Sequence, residues 1–261
     1  MKSDASSWSE FQKKWDGNVN FLMSGECIPF EFKMPSLPEV ISQIRNDPDA
    51  RITPGIPGSA LILQSIADEF RAKSIEEVIK SKFTMAHFKL SNFYKQGQLF
   101  YQFEERVMEP WKKSLAAAGF TWDRCYPILF ISGAGCSTNY HMDQSQVVAW
   151  QMYGTKTFNG FKNPEARAPF SERMNSVEFG NQKTIQPNGM DKSEVLSFVM
   201  QPGTVLWNTF LTPHWVEASE GVSYSINLSH GGLRFQGKLC KHEEELQEWR
   251  KSHEAQEVKA Y

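Results

Sequence analysis

The sequence predicts a mainly β fold with a helical lead-in: an antiparallel jelly roll or barrel buttressed by N-terminal helices. Three observations point there. From Tyr126 onward, about eight short β-rich runs follow one another at regular spacing, divided by turn residues. Before that point the apolar residues recur at helical spacing behind capping residues. Bulky side chains are abundant, with 19 Phe and 8 Trp in 261 residues, as packed sheets require.

The helical part comes first. Trp8, Phe11 and Trp15 fall at i, i+3 and i+7, predicting a short helix over Ser7–Trp15. Asn18–Gly25 reads as a turn-rich connector. Ile28–Lys33 alternates and suggests an edge strand, where Pro29 is tolerated. Ser36–Arg45 is predicted helical, with Ser36 as cap, Pro38 in the first turn and Glu39 at the capping-box position. Asp47–Ser59 carries prolines and glycines and reads as a connecting loop. Ala60–Ser65 is a short apolar strand or a helix start. Ser74–Lys82 is a second capped helix, with Glu77 at the reciprocal position. Phe88–Asn92 is taken as the first barrel strand. Gln98–Ala118 is the longest helical pattern, ended by Gly119, and Pro110 should kink or split it.

The strands follow. Pro127–Gly133 is a buried run. Ser145–Tyr153 and Thr155–Phe161 read as a hairpin closed at Gly154. Asn163–Asp191 is a long polar insertion. Glu194–Met200 and Thr204–Asn208 flank a Pro202-Gly203 turn, and Thr212–Ala218 is expected to pair with Val222–Leu228 across Glu220-Gly221. Glu243–Lys251 is a short surface helix in a charged tail. The organisation expected is one domain over 1–261: a mostly helical part with the first strands at 1–123, a barrel core with the metal site at 124–237, and a tail at 238–261.

Composition sets limits. The net charge of −2 supplies no basic field to attract nucleic acid. No apolar run approaches the ~18 residues of a membrane span, and Met1–Trp15 has no apolar segment of the kind a signal peptide needs. Cys27, Cys125, Cys136 and Cys240 are scattered, with no CxxC pair, which reads as reduced thiols in a cytoplasmic protein.

One constellation carries chemistry. His141 and Asp143 stand two apart at the start of a strand, so their side chains share a face. His214 begins another strand after the Pro202-Gly203 turn and the Trp207–Pro213 segment. Two imidazoles and one carboxylate on one face of a metal form the facial triad of non-haem Fe(II) oxygenases. An HxD pair alone is a weak signal in a chain with six histidines; its placement at strand ends gives it weight. Tyr140 and Trp215 flank ligands and point away from them by alternation, into core. Arg234 is expected at the surface.

In combination, these features resemble the Jumonji-C/cupin-like family of 2-oxoglutarate oxygenases, particularly its side-chain hydroxylase branch. The resemblance covers Tyr126–Gly232. It rests on Thr138 three residues before the first ligand, on His141-x-Asp143, and on Gln151, Gly154 and Lys156 beyond it. It continues through Pro202-Gly203-Thr204-Val205-Leu206, Pro213-His214-Trp215-Val216-Glu217 and Asn227. The fold so implied is a double-stranded β-helix, the jelly-roll or cupin barrel. The resemblance implies Fe(II) on His141, Asp143 and His214, with 2-oxoglutarate as co-substrate and O2 as oxidant. Lys156 would pair with the distal carboxylate and Thr138 would donate to it. A buried dianion needs such a cation and hydroxyl. The alternative for Lys156 is a solvated hairpin residue, and for Asn227, otherwise near iron or co-substrate, a satisfied polar residue at a strand end.

The chain departs from the family at Thr212-Pro213, where relatives carry an aromatic pair, and at Val147 and Ala149, where they place larger pocket-facing groups. The implied reaction is hydroxylation of an unactivated C–H coupled to decarboxylation of 2-oxoglutarate; the intact Asp143 argues against halogenation. With no chromatin-reading module, basic stripe or extra domain in view, the substrate expected is a small, amino-acid-like metabolite. Hydroxylation or demethylation of a protein side chain is the alternative, and a metal-binding cupin that does not use 2-oxoglutarate a further one. A homodimer paired through the C-terminal helix is an implication of the resemblance alone.

Overall fold

A seven-stranded antiparallel sheet forms the backbone of the fold, and a computed structural model describes it over residues 4–55, 64–138, 140–178 and 191–253. Its strands are β1 (Phe21–Met23), β2 (Arg51–Thr53), β3 (Thr84–His87), β5 (Arg124–Ser132), β6 (Gln146–Tyr153), β9 (Val205–Asn208) and β11 (Ser223–Gly231), in the order β1-β9-β6-β11-β5-β3-β2. A second sheet of β10 (Trp215–Ala218), β7 (Lys156–Phe161) and β8 (Val195–Met200) faces it. A small third sheet joins β4 (Phe120–Thr121), β12 (Arg234–Phe235) and β13 (Lys238–Leu239). Ala149 and Leu206 from the large sheet pack on Phe158, Phe198 and Met200 from the second, which fixes the two as layers of one sandwich. Expectations for 56–63, Asn139, 179–190 and 254–261 lie outside the described residues.

The helices are capped as their sequences require. In α1 (Trp8–Lys14) the Ser7 hydroxyl accepts the Glu10 N–H at 3.3 Å. Ahead of α2 (Leu37–Ile44), the Ser36 N–H donates to Glu39 at 2.9 Å. Helix α3 spans Gln64–Ala72, so of the Ala60–Ser65 expectation only residues 64 and 65 fall within the described chain, and they are helical. Ahead of α4 (Ile75–Lys80), the Ser74 N–H donates to Glu77 at 2.7 Å. The long helical pattern starts only at Phe103, as a π-helical turn over Glu104–Met108 that leads into α5 (Glu109–Ala117). Pro110 has no N–H to donate and crowds the carbonyl a turn earlier; the wider turn accommodates it without ending the helix. Helices α6 (Pro164–Arg167) and α7 (Phe170–Glu178) occupy the polar insertion, and α8 (Lys241–His253) closes the described chain. Among the described residues no helix is long and apolar enough to cross a membrane.

Several local expectations give way to long-range pairing. Residues 21–23, read as connector, are strand β1 because β9 offers them a partner. Residues 28–33 join no ladder among the described residues; Phe30 and Phe32 pack into the aromatic core instead. Three residues of the Asp47–Ser59 loop form β2 on β3, and β3 lies at 84–87, not 88–92. The two expected hairpins do not exist. Strand β7 pairs with β10 and β8, and β11 pairs with β5 and β6. Gly154 and Glu220-Gly221 are corners where the chain crosses between sheets. A turn signal specifies a change of direction, not which sheet the chain re-enters.

Candidate metal centre

The ligand stretch lies beside β10 as an irregular extra strand of the second sheet. The His141 N–H donates to the His214 carbonyl at 3.0 Å, and the His214 N–H returns the bond at 2.9 Å. The Thr138 N–H donates to Val216 at 2.8 Å. This pairing brings two residues 73 positions apart face to face, with ring centroids 4.1 Å apart. Asp143 completes the group: its carboxylate oxygens stand 3.8 Å from His141 Nε2 and 3.6 Å from His214 Nε2. One donor atom from each residue lies within 4.8 Å of the others, close enough to converge on one ion. Two imidazoles and a carboxylate suit Fe(II) and leave part of its coordination sphere open.

The protonation states suit a ligand role. The His214 Nδ1–H donates to the Thr212 carbonyl at 2.9 Å, so the Nε2 lone pair faces Asp143. His214 is 3 % exposed, and burial, with His141 beside it, pushes its pKa down to about 4. The imidazole is therefore neutral at physiological pH. Phe158 stacks on it at 4.8 Å and 11°. On the other side, the Asn208 amide donates to Asp143 Oδ2 at 3.0 Å.

A cavity of about 590 Å³ opens from the triad into the space between the sheets. Lys156, Thr138 and Asn227 all line it with His141, Asp143 and His214. Lys156 opens β7 and is buried, with its Nζ 3.4 Å from Ser225 Oγ and no carboxylate partner among the described residues. Burial pulls its pKa down to about 7. The solvated-hairpin reading of Lys156 therefore does not describe its place. The Thr138 hydroxyl accepts the Val216 N–H at 2.8 Å, which leaves its own proton free to donate. Asn227 Oδ1 is buried with no partner among the described residues. Val147 and Ala149 also line the cavity and keep it wide. At its outer part the Arg51 guanidinium lies 4.4 Å over the Phe88 ring.

Other expectations find plain structural places. Tyr140 and Trp215 pack on Phe161, away from the cavity. Arg234 makes a two-pronged ion pair with Asp123 at 2.8 and 3.1 Å. His230 is buried in β11, accepting from Trp111 Nε1 at 2.7 Å, and its Nδ1–H donates to the Gln146 carbonyl. Sequence reasoning missed Asn208, although strand alternation places it on the inward face with Leu206. It also missed Arg173, whose tie to the site runs through the Leu211 carbonyl, a backbone group no residue pattern announces.

No protein-family model matches the chain, and no curated protein does. Solved structures do. A crystal structure of the Escherichia coli ribosomal oxygenase YcfD superposes with a TM-score of 0.53 at 13% identity, over 86% of this chain and 51% of that one. A second structure of YcfD gives 0.53 at 13% identity, over 100% and 60%. A third, in complex with cobalt and succinic acid, gives 0.51 at 11% identity, over 85% and 51%. The chain thus spans roughly half to three-fifths of the length of the structures it matches. The expectation of a small-molecule substrate is overturned here, because the structures reported above are of a ribosomal oxygenase. With the two facing sheets and the converging His141, Asp143 and His214, the comparisons show that this chain has the jelly-roll fold of the ribosomal oxygenases.

Proposed function

We propose that this protein is an Fe(II)- and 2-oxoglutarate-dependent oxygenase that hydroxylates a side chain of a protein, with ribosomal proteins as the first candidates. The observation that carries the reading is Lys156. A buried ammonium with no anionic partner is expensive, and this one faces the same cavity as the His141, Asp143 and His214 cluster. A dianionic co-substrate that also ligates the metal would satisfy both. The similar structure solved with cobalt and succinic acid supports the reading, since succinate is what remains of 2-oxoglutarate after oxidative decarboxylation.

In this reading His141, Asp143 and His214 hold the iron, and Lys156 and the free proton of Thr138 hold the far carboxylate. Asn227 supplies an acceptor nearby. Bound iron and 2-oxoglutarate supply activation of O2 for C–H hydroxylation. The chain supplies the rest: a neutral, fixed His214 imidazole, an apolar enclosure between the sheets, and a cavity of about 590 Å³, large enough for a small co-substrate and one side chain. Exposed Arg51 and half-buried Phe88, which also line the cavity, would meet an entering polypeptide.

The test incubates the protein with Fe(II), 2-oxoglutarate and ribosomal proteins. Succinate release, with a gain of one oxygen atom on a ribosomal peptide by mass spectrometry, is expected, and Asp143→Ala should abolish both. Absence of succinate with and without ribosomal protein would sink the reading. Succinate without peptide oxidation would sink its substrate half.

A further inference from the structure

We infer that Asn208 is a positioning residue for the metal centre, holding Asp143 to coordination through a single oxygen. This rests on the proposed reading of His141, Asp143 and His214 as ligands. Asn208 ends β9, a strand paired to β6 on one side and β1 on the other, and is 1 % exposed. Its Nδ2 donates to Asp143 Oδ2 at 3.0 Å, while its Oδ1 is buried without a partner among the described residues. The amide has one workable orientation, because the carbonyl turned toward the carboxylate would set oxygen against oxygen.

Two features separate this from ordinary packing. A fully buried amide with an orphaned oxygen is a poor core residue, and an aliphatic side chain would fill the place without that penalty. The backbone on both sides is also pinned: the Thr209 N–H donates to Asn20 Oδ1 at 3.0 Å, and the Leu211 N–H donates to the Asp143 carbonyl at 2.9 Å. The amide therefore cannot drift from the carboxylate. With Oδ2 engaged, Oδ1 is the oxygen left clear to ligate. Ligation through one oxygen would leave more of a bound metal's coordination sphere to co-substrate and O2 than ligation through both oxygens.

Co(II), titrated into the metal-free protein and followed by its visible absorption, reads affinity and coordination geometry without turnover. Asn208→Leu and Asn208→Ala should each weaken Co(II) binding about 10- to 100-fold and alter the absorption band. The melting temperature of the metal-free protein should stay close to wild type, since the change removes the donor together with the orphaned acceptor. Asn208→Ala, which only opens space, covers the case in which leucine does not fit. Wild-type affinity and band shape in the variants would overturn the inference. So would an equal loss when Asn208→Ala is introduced beside Asp143→Ala, because Asn208 would then not act through the carboxylate. A wild-type protein that binds no Co(II), or an Asp143→Ala variant that binds it normally, would instead sink the underlying metal-centre reading, and the inference with it.

Discussion

Arg173 on α7 donates through its Nη1 to the carbonyl of Leu211 at 3.0 Å, tying the polar insertion to the loop that delivers His214. Leu211 needs the tie. It sits at φ 49°, in the left-handed region that a branched side chain rarely occupies, and its N–H donates to the Asp143 carbonyl. Arg173 is itself 1 % exposed, paired with Glu165 and bonded to the Ala168 carbonyl at 2.7 Å. Arg173→Met keeps the aliphatic stem and removes the donors. It should destabilise the protein by about 2–4 kcal/mol, because a buried carbonyl and a carboxylate lose their partner. It should also weaken Co(II) binding through the loosened loop. Denaturant unfolding and a metal titration check the two effects; an unchanged metal affinity would remove α7 from the site's support.

Lys156 predicts a conflict between stability and function. Its folded pKa, about 7, lies below the ordinary lysine value of 10.5, so between these values the unfolded chain binds a proton that the folded chain does not. The cost of burying the charge is fully present below pH 7 and is relieved as pH rises toward 10.5. Lys156→Met should stabilise the metal-free protein near pH 7 by on the order of 3 kcal/mol and flatten this rise. The same variant should lose 2-oxoglutarate affinity about 100-fold or more, since it removes a buried charge-assisted contact. Thermal melts across pH 7–10 and calorimetric titration measure both. A variant less stable than wild type at neutral pH would show that the ammonium has a further partner in the folded protein.

Acid should act through His230. Burial pushes its pKa to about 4 from 6.5, so the folded state resists a proton that the unfolded state accepts. Stability is complete above pH 6.5 and falls as pH drops toward 4, by roughly 3 kcal/mol for this group. Buried His214 and half-buried His242, also pushed down to about 4, act in the same direction. His230→Phe should start less stable at pH 7, because Trp111 Nε1 loses its acceptor. Its melting temperature should nevertheless fall less steeply between pH 6.5 and 4. An equal slope in variant and wild type would exclude His230 as a source of acid sensitivity.

Legibility in the sequence followed the range of the forces involved. Capping boxes at Ser36 and Ser74 act within four residues, and both helices were readable. The HxD spacing was readable too, and His141 and Asp143 do converge, though through an isolated bridge at His141 rather than a regular strand, while Tyr140 and Trp215 pack away from the cavity. Pairing was not. Strand β1 exists because β9, more than 180 residues later, presents an edge to it, and neither segment advertises the other. Asn208 was hidden because an asparagine ending a strand looks like a turn residue until its carboxylate partner is in place.

Gly154 joins the last local signal to the site. It stands at φ 64°, and a Cβ there would lie 2.4 Å from the Val222 carbonyl oxygen and 3.0 Å from Ser223 Cα, both backbone. Gln151 braces the same corner, donating from Nε2 to the Tyr153 and Gly154 carbonyls at 2.7 and 3.2 Å. Two residues on, Lys156 enters β7 with its side chain between the sheets. The Gln-x-x-Gly-x-Lys spacing is thus a brace, a corner and an inward cation in sequence. Gly154→Ala must relieve a backbone clash as well as left-handed strain, so it should cost about 2–4 kcal/mol and shift Lys156 enough to lower 2-oxoglutarate affinity. Gly203→Ala is the control: it has φ 90° but nothing within 4 Å of the added carbon. It should cost about 1–2 kcal/mol and leave the affinity unchanged. Equal losses of affinity in the two variants would mean that backbone strain in general, not the Gly154 corner, governs where Lys156 sits.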